Sequence, residues 1–319
     1  MRNYYFALNI SFIIVCLLMP KFISVANKIG FVDKPNNRKK HKDLTPLNGG
    51  IVMYIGFFLT YPFFINYQKK VEDIIVIFLA TTLVIIIGIV DDYYKGLGKE
   101  FPIYPRVVIQ MLAATMVFKI GIVFRGITNP LNGEFILFSY WIQYILTITW
   151  IFGITTVINW SDGMDGLAGS LASISAMTMF IVAITKGQIN SAYMSITLIG
   201  VILAFLMYNI HPAKVFMGDS GANFLGFILS IIALEGAFKQ ATIISIFVPV
   251  LALGVPIFDN IFVVFKRFLA GKPVYEADRS QIHYRLLEKG MNVKQIVSYI
   301  CILSGCLSLI SLLIFMIIV

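Results

Sequence analysis

Long apolar runs separated by short polar stretches set the pattern of this chain. Ten runs approach the roughly 20 apolar residues that a helix needs to cross the hydrocarbon of a bilayer. They lie near 4–25, 47–66, 74–90, 106–123, 135–158, 166–185, 191–209, 221–237, 241–265 and 294–318. The pattern predicts an all-α polytopic membrane protein with about ten transmembrane helices, built as one domain over 1–319. The first run is too long for a signal-peptide core and lacks a small-residue cleavage signature, so it reads as a retained helix. The ninth carries Pro249, Gly254 and Pro256, which predicts a helix broken near Asp259; backbone broken at that depth must be buried or line a polar cavity.

The polar stretches alternate in character. Those at 26–46, 91–105, 159–165, 210–220 and 266–293 are rich in charge, and with Arg106 they hold 16 of the 25 Lys and Arg residues. The intervening ones are short and, counted with Arg2 at the N-terminus, hold six. Positive charge collects on the cytoplasmic side of membrane proteins, so the first set is expected in the cytoplasm and both termini outside. With 59% hydrophobic and 13% charged residues and a mean hydropathy of +0.87, an ordinary soluble globule is excluded. The net charge of +9 then follows from sidedness and calls for no nucleic acid. Cys16, Cys301 and Cys306 fall in apolar runs without metal-ligand spacing and read as packing residues.

The candidate chemistry lies on the charged side. In NWSDGMDGL, Asn159, Asp162 and Asp165 are spaced by three, so a helical turn would gather them on one face. Gly163 and Gly166 allow close approach of backbone to a ligand. The segment alone reads equally as a site and as a turn whose Asp and Asn cap the next helix. Asp91 and Asp92 end the third apolar run, where two adjacent carboxylates need a divalent cation or basic neighbours as compensation. Arg106, followed one turn on by Gln110, is a candidate for that charge or for a phosphate. In NIHPAKVFMGDSGANFLG, Asp219 stands among glycines at the start of a span, a good capping position that also offers open N–H groups to a diphosphate. Gly49 and Gly50 suit close helix packing or a backbone approach to phosphate. In the last loop His283 lies between Arg279 and Arg285, facing the acids. Five acids on three loops of one side exceed what capping requires, and their convergence points to a cation and phosphate site.

Five segments in series, VDKPNNRKKH with TPLNGG, the DD pair at 91 and 92, NWSDGMDGL, KVFMGDSG and DRSQIHYRL, resemble the polyprenyl-phosphate N-acetylhexosamine 1-phosphate transferases over nearly the whole chain. Within that superfamily they are most similar to the bacterial undecaprenyl-phosphate N-acetylglucosamine 1-phosphate transferases. The resemblance implies a multi-pass enzyme of the bacterial inner membrane with a cytoplasm-facing Mg²⁺ site, Mn²⁺ being the alternative ion. It implies a UDP-N-acetylhexosamine donor, undecaprenyl phosphate as acceptor and UMP as released product, as the first membrane step of a cell-surface glycan. Membrane lipids and a second copy in a homodimer complete the expected partners.

Residue by residue, the resemblance makes Asn159 and Asp219 the metal ligands. It makes Asp91 the group that engages or deprotonates the lipid phosphate, with Asp92 in support. Asp165, Asn209 and Phe216 line the uridine pocket, Phe216 stacking on the base; Asp162 is an essential acid; Arg106, Arg279 and His283 lie near the diphosphate. The chain departs from the relatives where they carry a histidine cluster: it reads Gln281, His283 and Tyr284, with only the middle histidine kept. Phosphoryl transfer asks a protein for positioning and charge neutralisation more than for covalent work, and a single displacement by the lipid phosphate is expected, an aspartyl-bound phosphosugar being the rival route. The competing readings are a phospho-N-acetylmuramoyl-pentapeptide transferase, an inactive scaffolding homologue, and a proton-coupled transporter, whose acids would lie at the bilayer midplane.

Overall fold

The computed structural model describes residues 3–33, 44–65, 71–129, 132–236, 243–273 and 279–318. In chain order these form α1 (Tyr4–Ile29), β1 (Val32–Asp33), β2 (Thr45–Pro46), α2 (Gly49–Thr60) with a 3₁₀ turn at Tyr61–Phe64, α3 (Val71–Gly96) and α4 (Ile103–Lys119). There follow β3 (Gly126–Thr128), β4 (Phe135–Leu137), α5 (Tyr140–Ser161), α6 (Leu167–Thr185), α7 (Ile189–Asn209) and α8 (Gly218–Gly236). The chain closes with α9 (Ile243–Ala252), α10 (Gly254–Leu269), α11 (Ile282–Glu288) and α12 (Val293–Ile318).

Helices stand at all ten apolar stretches, and the molecule is an all-α multi-pass membrane protein at the level that hydropathy addresses. Among the described residues six single helices, α1, α3, α5, α6, α7 and α12, are long and apolar enough to span, and the α9–α10 pair, bent by 80°, adds a seventh. Length and hydropathy therefore do not by themselves support ten crossings: α2 is short, α4 has 17 residues and carries Arg106 and Gln110, and α8 opens on a polar turn. The expected break in the ninth helix is present but falls at Leu253, between Pro249 and Pro256, while Asp259, near which it is expected, lies within the unbroken α10.

Three elements differ from the sequence expectation. Residues 135–137 are not helical; they pair antiparallel with 126–128, Gly126 opposite Leu137, and α5 begins only at Tyr140. The Asn132-Gly133 turn, with Gly133 at φ +72°, favours a hairpin over continuation of a helix. A shorter antiparallel pair joins Val32 to Pro46 and Asp33 to Thr45, closing the first charged loop at its base. The last loop contains a helix of its own, α11.

The core is organised around α8, which is buried from Ser220 to Gly236 and packs against α2, α3, α5, α6 and α7. Its start is reached at very short range. A β-carbon on Gly88 of α3 would lie 2.4 Å from the Ser220 Cα, and one on Gly50 of α2 would lie 2.2 Å from the Gly221 nitrogen. Only glycine lets the two helices approach α8 so closely, and the amides of Gly49 and Gly50 donate to the carbonyls of Phe216 and Met217. Packing, rather than phosphate approach, accounts for the glycine pair. Helix α5 runs alongside α8 with Trp150 Nε1 donating to the Ser230 carbonyl and Thr155 against Gly226. This antiparallel register carries the Asn159–Asp162 end of α5 toward the first turn of α8, where Asp219 stands.

Candidate active site

Asp91 and Asp92 lie near the end of α3, each only 1% exposed. Neighbours on a helix point about 100° apart, and the two carboxylates do different things. Asp92 turns to α8: its Oδ1 accepts the Asp219 N–H at 2.7 Å and its Oδ2 the Ser220 N–H at 3.1 Å. It is an N-terminal cap delivered from another helix. The open amides expected there for a diphosphate are thus already bonded, two to Asp92 and that of Gly221 to the Met217 carbonyl.

Asp91 turns to cations. Its Oδ2 accepts from Arg106 Nη1 at 3.0 Å and lies 3.3 Å from Lys95 Nζ, one turn further along α3. The same ammonium is hydrogen-bonded to Asp219 Oδ2, so Lys95 bridges acids from α3 and α8. Asp91 Oδ1 is buried without a hydrogen-bond partner, as is Arg106 Nε. Gln110 reaches Asn223 at 3.4 Å instead of a phosphate position. Lys95 carried no role in the sequence reading, although its i+4 spacing from Asp91 was visible.

The NWSDGMDGL segment is not a pair of caps. Asp162 closes α5, its N–H donating to the Asn159 carbonyl at 3.2 Å, while α6 is entered through Gly166 at φ +77°. Asp165 Oδ2 meets His211 Nδ1 at 2.7 Å and accepts the Ala213 N–H at 3.1 Å. Asn209 is spent on backbone: Oδ1 accepts the Gly166 N–H at 2.9 Å and Nδ2 donates to the Val215 carbonyl at 2.8 Å. The half-buried Phe216 is fixed by its main chain, donating to the Pro46 carbonyl at 2.8 Å and accepting from Gly49 at 3.0 Å. Asp165, Asn209 and Phe216 therefore do belong to one knot, but Asn209 holds its shape. His211 escaped the sequence reading, and only its place beside Pro212 in a charged segment marked it.

The last loop is brought onto this knot by α11. Asp259 of α10 accepts the Ile282 N–H with both carboxylate oxygens at 2.9 Å and pairs with Arg285 at 2.8 Å. Arg285 also stacks on Phe262, 4.3 Å from the ring centre. It therefore serves the helix and does not flank His283 toward the acids, because the α11 turn points it at α10. His283 is 1% exposed and sits on Gly163, where an added β-carbon would lie 2.1 Å from Nε2. Burial pushes its pKa down to about 4, so the ring is neutral near pH 7, and Nε2 has no hydrogen-bond partner. Beside it, burial raises the Tyr284 phenol, Arg279 acting to lower it and Asp162 to raise it, which sets those two charges around the ring.

The structure thus gathers Asp91, Asp92, Asp219 and Arg106 in one cluster, Asp165, Asn209 and Phe216 in a second, and Asp162, Arg279 and His283 in a third. His283 on Gly163 joins the last two; the step from Phe216 to Gly218 along the chain joins the first two. Asn159 is half-buried at the end of α5 with no side-chain hydrogen bond among the described residues. Among those residues no three His, Cys, Asp or Glu side chains form a ready metal site. The basic residues Lys34, Arg38, Lys39, Lys40 and Lys42 of the first loop, and Asp278, lie outside the described residues.

Deep carboxylates at one end of a helical membrane bundle, paired with fixed cations, are the equipment of a transferase acting on charged groups at the membrane surface. The profile of glycosyl transferase family 4 matches residues 74–237, which span α3 to α8 and carry the first two clusters. Over 303 residues, 95% of this chain and 82% of the relative, the sequence is 35% identical to the probable undecaprenyl-phosphate N-acetylglucosaminyl 1-phosphate transferase of Bacillus subtilis (strain 168). It is 28% identical to the undecaprenyl-phosphate alpha-N-acetylglucosaminyl 1-phosphate transferase of Escherichia coli (strain K12), over 91% of this chain and 78% of that one. It is 27% identical to the Yersinia pestis enzyme of the same name, over 90% and 77%. The chain belongs to glycosyl transferase family 4.

Proposed function

We propose that this protein transfers N-acetylglucosamine 1-phosphate from UDP-N-acetylglucosamine to undecaprenyl phosphate at the cytoplasmic face of a bacterial inner membrane, releasing UMP. The names of its relatives support the acceptor and the transferred group. The observation that carries the reading is the Asp91–Lys95–Asp219 cluster with Arg106, set at the end of α3 and the start of α8. A carrier's acids would lie at mid-depth; these sit at helix ends on the side richer in Lys and Arg.

Mg²⁺ is the cofactor proposed here, with Mn²⁺ as a substitute. Two features of the residues fit it: the donors are hard carboxylate oxygens, and Asp91 Oδ1 is buried without a partner beside an acid from a second helix. Asp219 would hold the ion, Asp91 adjoining and Asn159 one turn away along the α5–α8 register. When bound, it would neutralise charge on the donor diphosphate, which is the main demand of phosphoryl transfer. Arg106 orients Asp91 through its hydrogen bond to Oδ2, and Asp91 engages the lipid phosphate that attacks phosphorus in a single displacement. Asp92 keeps Asp219 in place by capping α8. Phe216 and Asp165 receive the uridine, and the neutral His283 beside Arg279 lies toward the diphosphate.

The test is to incubate purified protein with undecaprenyl phosphate, Mg²⁺ and a panel of UDP-sugars and to measure UMP. Release is expected with UDP-N-acetylglucosamine, to need both lipid and cation, and to vanish in Asp219→Ala while the protein stays folded in detergent. Turnover unchanged in that variant refutes the metal assignment, and UMP exchange without lipid refutes the single displacement.

A further inference from the structure

We infer that Lys95 is a built-in occupant of the cation position, and that a divalent ion enters between Asp91 and Asp219 by displacing its ammonium. The inference rests on the reading of Asp219 as a metal ligand, and adds a residue that the sequence motifs do not assign.

The argument starts from charge. A buried acid, Asp91, and a half-buried one, Asp219, from different helices repel strongly where water is scarce, and a cation between them relieves that repulsion. Lys95 supplies that cation: its Nζ is hydrogen-bonded to Asp219 Oδ2 and stands 3.3 Å from Asp91 Oδ2. Arg106 cannot do the same, because it reaches Asp91 alone. The bridge is nonetheless incomplete. Asp91 Oδ1 is fully buried and accepts no hydrogen bond, so one ammonium leaves a hard oxygen unserved that a cation of higher charge would use.

Lysine suits a removable occupant. Its charge is a compact point on a flexible four-carbon stem, whereas arginine would clamp a carboxylate with a two-pronged fork. The Lys95 side chain is 43% exposed while Asp91 is 1% exposed, so the ammonium has water to retreat into and the acid does not. Any ion that binds here must compete with this internal cation, which lowers its apparent affinity by the fraction of molecules in which the position is open. Lys95 acts as a positioning residue: it keeps α3 and α8 in register without metal.

The test is Mn²⁺ binding, followed by electron paramagnetic resonance on the full chain in detergent, without substrates. Asp219→Asn examines the underlying metal reading; Lys95→Met examines the occupant. Lys95→Met is expected to bind Mn²⁺ about tenfold tighter, and Lys95→Arg several-fold weaker than wild type. Arg106→Met removes the same charge from Asp91 but leaves the bridge, and is expected to tighten binding by no more than about threefold. Loss of binding in Asp219→Asn with Lys95→Met unchanged, or no tighter than Arg106→Met, overturns this inference alone. Wild-type binding in Asp219→Asn overturns the metal reading and this inference together. Should Lys95→Met not fold, the wild type suffices: labelling of Lys95 by an amine-reactive reagent, read by mass spectrometry, is expected to rise several-fold on adding Mg²⁺. Labelling that ignores Mg²⁺ overturns the inference.

Discussion

The carboxylate of Asp92 on α3 receives the backbone N–H groups of both Asp219 and Ser220 on α8. The second acid of the adjacent pair is thereby a fastener for the helix that carries Asp219, and the pair divides into one residue facing chemistry and one facing structure. Asp92→Ala strands two buried amides, a loss of about 1–3 kcal/mol each at most. A lower unfolding temperature in detergent and reduced UMP release are both expected. Asp92→Asn keeps one acceptor and should fall between Ala and wild type in thermal unfolding. An Asn variant as damaged as Ala would mean that charge, not capping, is what matters.

Gly163→Ala places a methyl group in the volume held by His283 Nε2. Because the ring is backed by packed surroundings, the expected outcome is displacement of α11, seen as faster proteolysis within 279–290 and a loss of turnover of tenfold or more, an order-of-magnitude reading of a misplaced group. Proteolysis and turnover equal to wild type would show that the contact is dispensable.

His283 titrates at about 4 in the fold against its ordinary 6.5, because burial disfavours the charged ring. Between those values the unfolded chain takes up a proton that the folded one refuses, so stability is full above pH 6.5 and falls as pH drops toward 4. At about 1.4 kcal/mol per unit, the whole decline is about 3 kcal/mol. Thermal unfolding followed from pH 7.5 to pH 4.5 should slope downward, and His283→Asn should flatten that slope. An equal slope in the variant would assign the pH dependence elsewhere.

Phe216 has its backbone pinned by Pro46 and Gly49 while its ring stays half-buried. Phe216→Ala should therefore leave the fold intact and raise the KM for the UDP-sugar, since stacking on a base is worth about 1–3 kcal/mol. A defect confined to the lipid acceptor would move the uridine pocket away from this residue.

The helices were legible because apolar runs are long and a bilayer imposes length, and a break in the ninth helix was legible from Pro249 and Pro256. The hairpin at 126–137 was missed because Phe135, Ile136 and Leu137 are as apolar as the helix that follows, so hydropathy extends the span through them. Asp91 and Asp219 were visible as acids at helix ends, yet nothing in the chain shows that Lys95 lies between them, a relation made by two helices 124 residues apart at the bridge. Asn209 and Arg285 illustrate the converse. Both stand in segments where a ligand-facing polar residue is natural, and both are consumed by backbone or by a neighbouring acid once the chain folds. Asp259, by contrast, lies in a run that only its prolines marked, and it turns out to anchor α11.

Asp259 and Asn260 are consecutive on α10, yet the first grips α11 and the second donates to the Val157 carbonyl of α5 at 3.3 Å. Successive residues diverge by about 100° around a helix, so a single rod pins two separate arms of the site from two of its sides. Inserting one residue between them would swing one grip away from the other by that same angle, and no side-chain adjustment could restore both. The tolerance of α10 to length change is accordingly nil at this point, whatever freedom its exposed phenylalanines retain.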